Sequence, residues 1–232
     1  MHAQKGATAA SAAPTRTPAV RAARIAGLAL VDPLYRRVKR SRAAALLEAP
    51  LLRRLRYRVV PGMGPREVHD VIEILERGGA PAWLVGGWGV DALVGRQTRK
   101  HPDVDVAVER RDLDQALESL EAAGFAVVQR EILPNWMPTM IVLRDAKRRW
   151  IELMVVDVPG PPPEDDGRPE GMRFRYTDAS FTTGSLNGRR VRCLAAGTQL
   201  LFHTGYPPRD SDRHDVSLLT RTFALPTPDA YA

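Results

Sequence analysis

Apolar positions first recur at helical spacing in "PREVHDVIEILERGGA", where Val68, Val71, Ile72 and Leu75 fall on one face. Pro65 suits a first helical position and Gly78-Gly79 a stop, so the pattern predicts a helix from Pro65 and the start of a compact domain there. "AWLVGG" predicts a buried strand ending in a glycine turn, and "WGVDALVG" a short helix closed by Gly95. "DVDVAV" alternates strictly, the period of a half-buried strand. "RDLDQALESLEAAG" returns to helical spacing, with Leu113, Leu117 and Leu120 on its apolar face and Gly124 at its end.

Further along, "FAVVQ", "TMIVLRD" and "RRWIELMVVDV" predict strands, and "SLNGRRVRCL" a hairpin turning at Asn187-Gly188. Helices over 196–204 and 210–222 are expected to close the chain. The order of elements predicts an α/β (α+β) fold: a mixed-sheet lobe over 61–195 followed by a small helical part over 196–232. Pro159 to Gly171 reads as a mobile loop by composition. No internal repeat is visible.

Residues 1–60 change the picture. Residues 1–20 are low-complexity Ala, Thr, Ser and Pro, an expected disordered stretch, while residues 34–58 scatter Leu and Val among arginines around Pro50. The net charge of +7 divides into +11 for residues 1–60 and −4 for the remainder, so the basicity belongs to the extension. A solvated extension is the favoured reading; a surface for nucleic acid or anionic lipid is the alternative. With 44% apolar residues the chain can bury one good core. The single cysteine, Cys193, excludes an internal disulfide and cannot alone build a thiolate metal site. No run reaches the roughly 18–20 apolar residues of a membrane span, and "RAARIAGLALVDP" lacks a cleavage pattern, so a cytoplasmic protein is expected.

The chemistry concentrates in "GGWGVDALVGRQTRKHPDVDVAV", residues 86–108. On a strand, Asp103 and Asp105 project from one face while Val104, Val106 and Val108 face the core. Two carboxylates so close raise each other's proton affinity unless a cation lies between them, and hard oxygen ligands suit Mg²⁺. A third carboxylate would allow a two-metal site; "RRWIELMVVD" offers Glu152 or Asp157. Gly86 and Gly87 permit a tight turn into a helix whose free N–H groups suit phosphate, and Thr98, Arg99, Lys100 and His101 precede the acidic pair.

The stretch "WLVGGWGVDALVGRQTRKHPDVDVAV" resembles the signature of the DNA polymerase beta-like nucleotidyltransferases, and among them the antibiotic-modifying aminoglycoside and lincosamide enzymes. The matching residues are Gly86, Gly87, Trp88, Gly95, Arg96, Thr98, Arg99, His101, Asp103 and Asp105, with "GRRVRCLA" and "LLFHTGYPPRDSDRHDVSLL" as further likenesses. The resemblance spans roughly residues 66–222.

The resemblance implies that Asp103 and Asp105 bind Mg²⁺, with two ions expected, and that Gly86, Gly87, Trp88, Thr98, Arg99 and Lys100 form the nucleotide site. Glu152 falls where family members often carry an aspartate as third carboxylate and base. Met154 stands where lincosamide-type members place a histidine. The implied reaction moves a nucleoside monophosphate from ATP or another nucleoside triphosphate to a hydroxyl of a small antibiotic-like acceptor. The alternatives are modification of tRNA or protein, with residues 1–60 as a nucleic-acid handle, and a non-catalytic nucleotide-binding module.

Several residues carry two readings. Trp88 either stacks on a ligand or is buried beside the turn, and His101 either touches phosphate or makes an orienting hydrogen bond. Asp91 is read as a structural partner of the Arg99 region. His203, Tyr206, Asp212, Arg213, His214 and Asp215 either frame an acceptor cleft or form a polar brace.

Overall fold

In the computed structural model the described residues are 62–131, 140–158, 176–204 and 206–232, all within the compact unit Pro50–Ala232. The expectations for residues 1–60 and for the Pro159–Gly171 loop lie outside them.

Helix α1 (Pro65–Arg77) begins and ends as its sequence predicts. Pro65 opens it, the Glu67 carboxylate accepts a hydrogen bond from the Gly64 N–H at 3.0 Å, and Val68, Val71, Ile72 and Leu75 are buried. Strand β1 (Ala82–Val85) runs directly into α2 (Gly86–Val94), which Gly95 closes in the left-handed conformation. Strand β2 (Val104–Glu109) leads through a 3₁₀ turn into α3 (Leu113–Ala122). Strands β3 (Phe125–Glu131), β4 (Met140–Asp145) and β5 (Trp150–Val156) follow.

The hairpin of β6 (Phe181–Leu186) and β7 (Arg189–Leu194) turns at Asn187 and Gly188, both at positive φ, as a two-residue hairpin loop requires. Helices α4 (Ala196–Phe202) and α5 (Asp210–Phe223) close the fold, within two residues of their expected bounds.

Among the described residues one sheet contains all seven strands, in the order β3-β4-β5-β2-β1-β7-β6. It is mixed: β2 pairs parallel with β5 and β1 parallel with β7, while β1 and β2 are antiparallel. One face carries Leu84, Val104, Val106, Val108, Ile151, Leu153 and Cys193, packed beneath α1, α2 and α3. The other face carries Val85, Ala107, Val156 and Leu194 with Tyr176. Alternation along β2 and β5 places Asp105 and Glu152 on this second face.

Strand β2 differs from its expectation in two ways. It begins at Val104, so Asp103 precedes the ladder, and its second face is not an open surface because Ala107 is fully buried in the second cluster. The C-terminal helices pack on α2, where Val90, Leu200, Val216 and Leu219 form a third apolar cluster. Among the described residues no helix is long and apolar enough to cross a membrane.

Candidate active site

Strand register builds the acidic centre. Asp105 lies opposite Val85 on one side and opposite Glu152 on the other, so two hydrogen-bonded neighbours fix its position. Asp103 joins from just before the strand. Oxygen atoms of Asp103, Asp105 and Glu152 all lie within 4.8 Å of one another, and each of the three residues is half-buried. That spread is close to the roughly 4 Å that opposite ligands of one octahedral Mg²⁺ span, and the donors are all hard oxygens. The residues present therefore fit a divalent cation.

Asp157 is not in this group. It follows the far end of β5, and its carboxylate accepts two hydrogen bonds from Arg110 Nε (2.9 and 3.2 Å) and one from Nη2 (3.0 Å) in an exposed ion pair. Of the two candidates for a third carboxylate, the fold brings Glu152 to the aspartates.

The glycine turn is shaped by what packs on it. Gly86 sits at φ +58°, and a Cβ there would come within 2.5 Å of the Asp105 carboxylate. A Cβ at Gly87 would collide with Arg99 and the His101 ring. Both glycines thus allow the start of α2 to close onto the acidic strand and the basic loop. Helix α2 starts at Gly86 itself, earlier than the expected start at Trp88, so its first residue packs against the Asp105 carboxylate.

Trp88 is a correction to the expected nucleotide-binding set. Its ring is 1% exposed and packs against His101 at 4.4 Å between centroids, which leaves no face for a base to stack on. Its indole Nε1–H donates to the Asp103 carbonyl at 3.1 Å. His101 is likewise buried and donates from Nε2 to Asp91 Oδ2 at 2.6 Å, the orienting role rather than a phosphate contact. Asp91, fully buried, also accepts from the Thr98 N–H at 3.0 Å and the Thr98 hydroxyl at 2.5 Å. Because that hydroxyl proton is given to Asp91, Thr98 Oγ1 accepts from His214 Nε2 at 3.1 Å.

Arg99 is committed within the protein. Its Nε and Nη2 donate to the two oxygens of buried Asp215, at 2.8 and 2.5 Å. Burial alone would push the Asp215 carboxyl up, but the hydrogen bonds and charge of Arg99, with help from His203, hold it well below the usual carboxylate range. Lys100 lies exposed on the loop.

The tail residues form a brace. His203 donates to the Gln199 carbonyl at 2.7 Å, and the Arg209 guanidinium grips Asp212 with two 2.7 Å bonds while lying over the Tyr206 ring. Sequence reading missed Gln199, which is fully buried and donates from Nε2 to the Gly86 carbonyl at 3.0 Å. Its only sequence signal is an amide among apolar neighbours in a short helix.

The chain has relatives in sequence and in fold. Residues 67–219 match the family described as aminoglycoside-2''-adenylyltransferase. The chain is 28% identical over 159 residues to a lincosamide resistance protein of Staphylococcus haemolyticus, covering 66% of this chain and 92% of that one. A 2''-aminoglycoside nucleotidyltransferase of Klebsiella pneumoniae is 39% identical over 56 residues, 23% of this chain and 32% of that protein.

Among solved structures, the lincomycin-bound lincosamide antibiotic adenylyltransferase LnuA superposes with a TM-score of 0.54 at 27% identity, over 68% of this chain and 98% of that one. ANT(2")-Ia in complex with adenylyl-2"-tobramycin shares the fold at TM-score 0.52 and 20% identity, over 68% and 88% of the two chains. With the family matched across most of the described fold and the acidic centre in place, the chain belongs to the aminoglycoside-2''-adenylyltransferase family and is a nucleotidyltransferase.

Proposed function

We propose that this enzyme transfers a nucleoside monophosphate, AMP from ATP, to a hydroxyl of a small antibiotic-like acceptor of lincosamide or aminoglycoside type. The observation that carries the reading is the convergence of Asp103, Asp105 and Glu152 within 4.8 Å, the last two on adjacent parallel strands and Asp103 just before the first of them. The two aspartates, with Glu152, would hold Mg²⁺. When bound, the ion supplies charge neutralisation and orientation for the triphosphate.

The chain's own residues do the rest. Gly86 and Gly87 bring the N–H groups that open α2 to the edge of the site, where they suit phosphate oxygens. Thr98 and Arg99 contribute by holding the loop to Asp91 and Asp215, and exposed Lys100 on the same loop is the cation assigned to the nucleotide. Glu152 takes the proton of the acceptor hydroxyl as its oxygen bonds to the α-phosphorus and pyrophosphate leaves. Catalysis on this reading is mainly positioning and electrostatics. Residues 61–195 supply the chemistry and 196–232 the helical support beneath it.

The test is to incubate the protein with Mg²⁺, each labelled nucleoside triphosphate in turn, and a panel of lincosamides, aminoglycosides and tRNA. Label from ATP entering a small acceptor, lost in Asp105→Asn, is the expected result. Label entering tRNA, or undiminished transfer by the folded variant, would overturn it.

A further inference from the structure

The three carboxylates are not held alike. Asp105 and Glu152 are fixed by ladder pairing, whereas Asp103 lies outside the strand and needs another support. The geometry points to Asp91, His101 and Trp88 as positioning residues that set Asp103 in place for metal binding, an inference that rests on the function proposed above.

The three form a continuous path. Asp91 and Trp88 lie three residues apart on α2, near neighbours on one helical surface, and both are almost completely buried. Asp91 fixes the loop before Asp103 at two points, through the N–H and hydroxyl of Thr98 and through His101 Nε2. The His101 ring lies against the Trp88 ring, and the Trp88 indole N–H holds the Asp103 carbonyl. Gly87 lets His101 approach α2 closely enough to complete the path. The helix that presents the glycine turn therefore also sets the first metal-binding aspartate, so the phosphate side and the metal side share one rigid element. Partners of this outer kind typically contribute about 10–100-fold to metal affinity or activity.

The experiment is a Mn²⁺ titration of the full chain, followed by loss of the free-ion EPR signal. Asp91→Asn retains an oxygen for Thr98 but loses the acceptor for His101, and Trp88→Phe removes the indole N–H while keeping a ring. Both should bind Mn²⁺ about 10-fold more weakly than the parent. Their transfer rate should fall at low Mg²⁺ and recover as Mg²⁺ is raised, a response a purely structural defect does not give. Leu219→Ala, in the apolar cluster of α5, should lower the melting temperature yet leave Mn²⁺ affinity unchanged.

If Asp91→Asn does not fold, Trp88→Phe decides alone. Saturable Mn²⁺ binding abolished by Asp105→Asn but undiminished in folded Trp88→Phe and Asp91→Asn would overturn this inference and leave the proposed function standing. Absence of saturable binding in the parent chain would overturn both.

Discussion

Arg99 and Asp215 meet in a two-pronged ion pair, although Arg99 belongs to the loop before the acidic strand and Asp215 to the last long helix. Asp215 is 1% exposed and Arg99 about a quarter exposed, so the carboxylate depends on this partner for its charge. Removing one member of a buried pair leaves the other uncompensated. Asp215→Asn should destabilise the protein by about 3 kcal/mol or more at pH 7, measured by urea denaturation.

The same pair gives a pH dependence. The folded-state carboxyl is held low, so its stabilisation is complete above the unfolded value of about 3.9 and is lost as pH falls through the lower folded value. The parent should therefore lose more stability than Asp215→Asn on going from pH 5 to pH 2. Equal losses would show that the pair contributes nothing in acid.

Gly86→Ala should damage activity more than stability. The positive φ costs roughly 1–2 kcal/mol for a residue with a Cβ, whereas the methyl group presses on the Asp105 carboxylate. A displacement near 1 Å at a reacting centre costs on the order of 100-fold. A kcat within twofold of the parent would sink this account of the turn.

The two acidic residues of β5 and its end should separate cleanly. Glu152→Gln removes both the proposed base and one of the three carboxylates proposed to hold Mg²⁺, and should lower kcat by about 100-fold or more. Asp157→Asn breaks only the exposed pair with Arg110 and should change stability by less than about 1 kcal/mol and activity hardly at all. Steady-state kinetics of the two variants side by side make the comparison.

Metal removal should be reversible. Treatment with EDTA is expected to abolish transfer without unfolding the chain, because the three carboxylates are half-buried at the sheet surface and the apolar clusters pack without them. Added Mg²⁺ should restore it, and circular dichroism should not change throughout.

Much of the fold was legible where local chemistry decides it. Pro65, Gly78 and the spacing of Val68 to Leu75 delimit α1, and Asn187-Gly188 marks its hairpin, because helix ends and tight turns are governed by neighbours in sequence. The closeness of the Asp103 and Asp105 carboxylates was legible for the same reason. The third carboxylate was narrowed to two candidates but not chosen by spacing alone, since strand pairing is a long-range property.

Trp88 carried two readings because a glycine turn followed by tryptophan looks the same whether the ring faces ligand or core, and only the packing buries it. Asp91 was read as structural, but its partners Thr98 and His101 are set by the loop's path rather than by periodicity. Gln199 left almost no trace, because a buried amide serving a distant carbonyl has no local pattern.

The pairing of Asp105 with Glu152 has a consequence for how such an enzyme diversifies. Their separation is set by strand register, and β4 braces it from the far side by pairing Val142 with Glu152, so neither carboxylate depends on the turns that join these elements. A one-residue slip of β5, by contrast, would turn Glu152 to the opposite face and break up the cluster of three carboxylates. Change is thus cheap in the turns and costly within the ladder, which leaves new acceptors to be reached by remodelling turns around an unchanged centre.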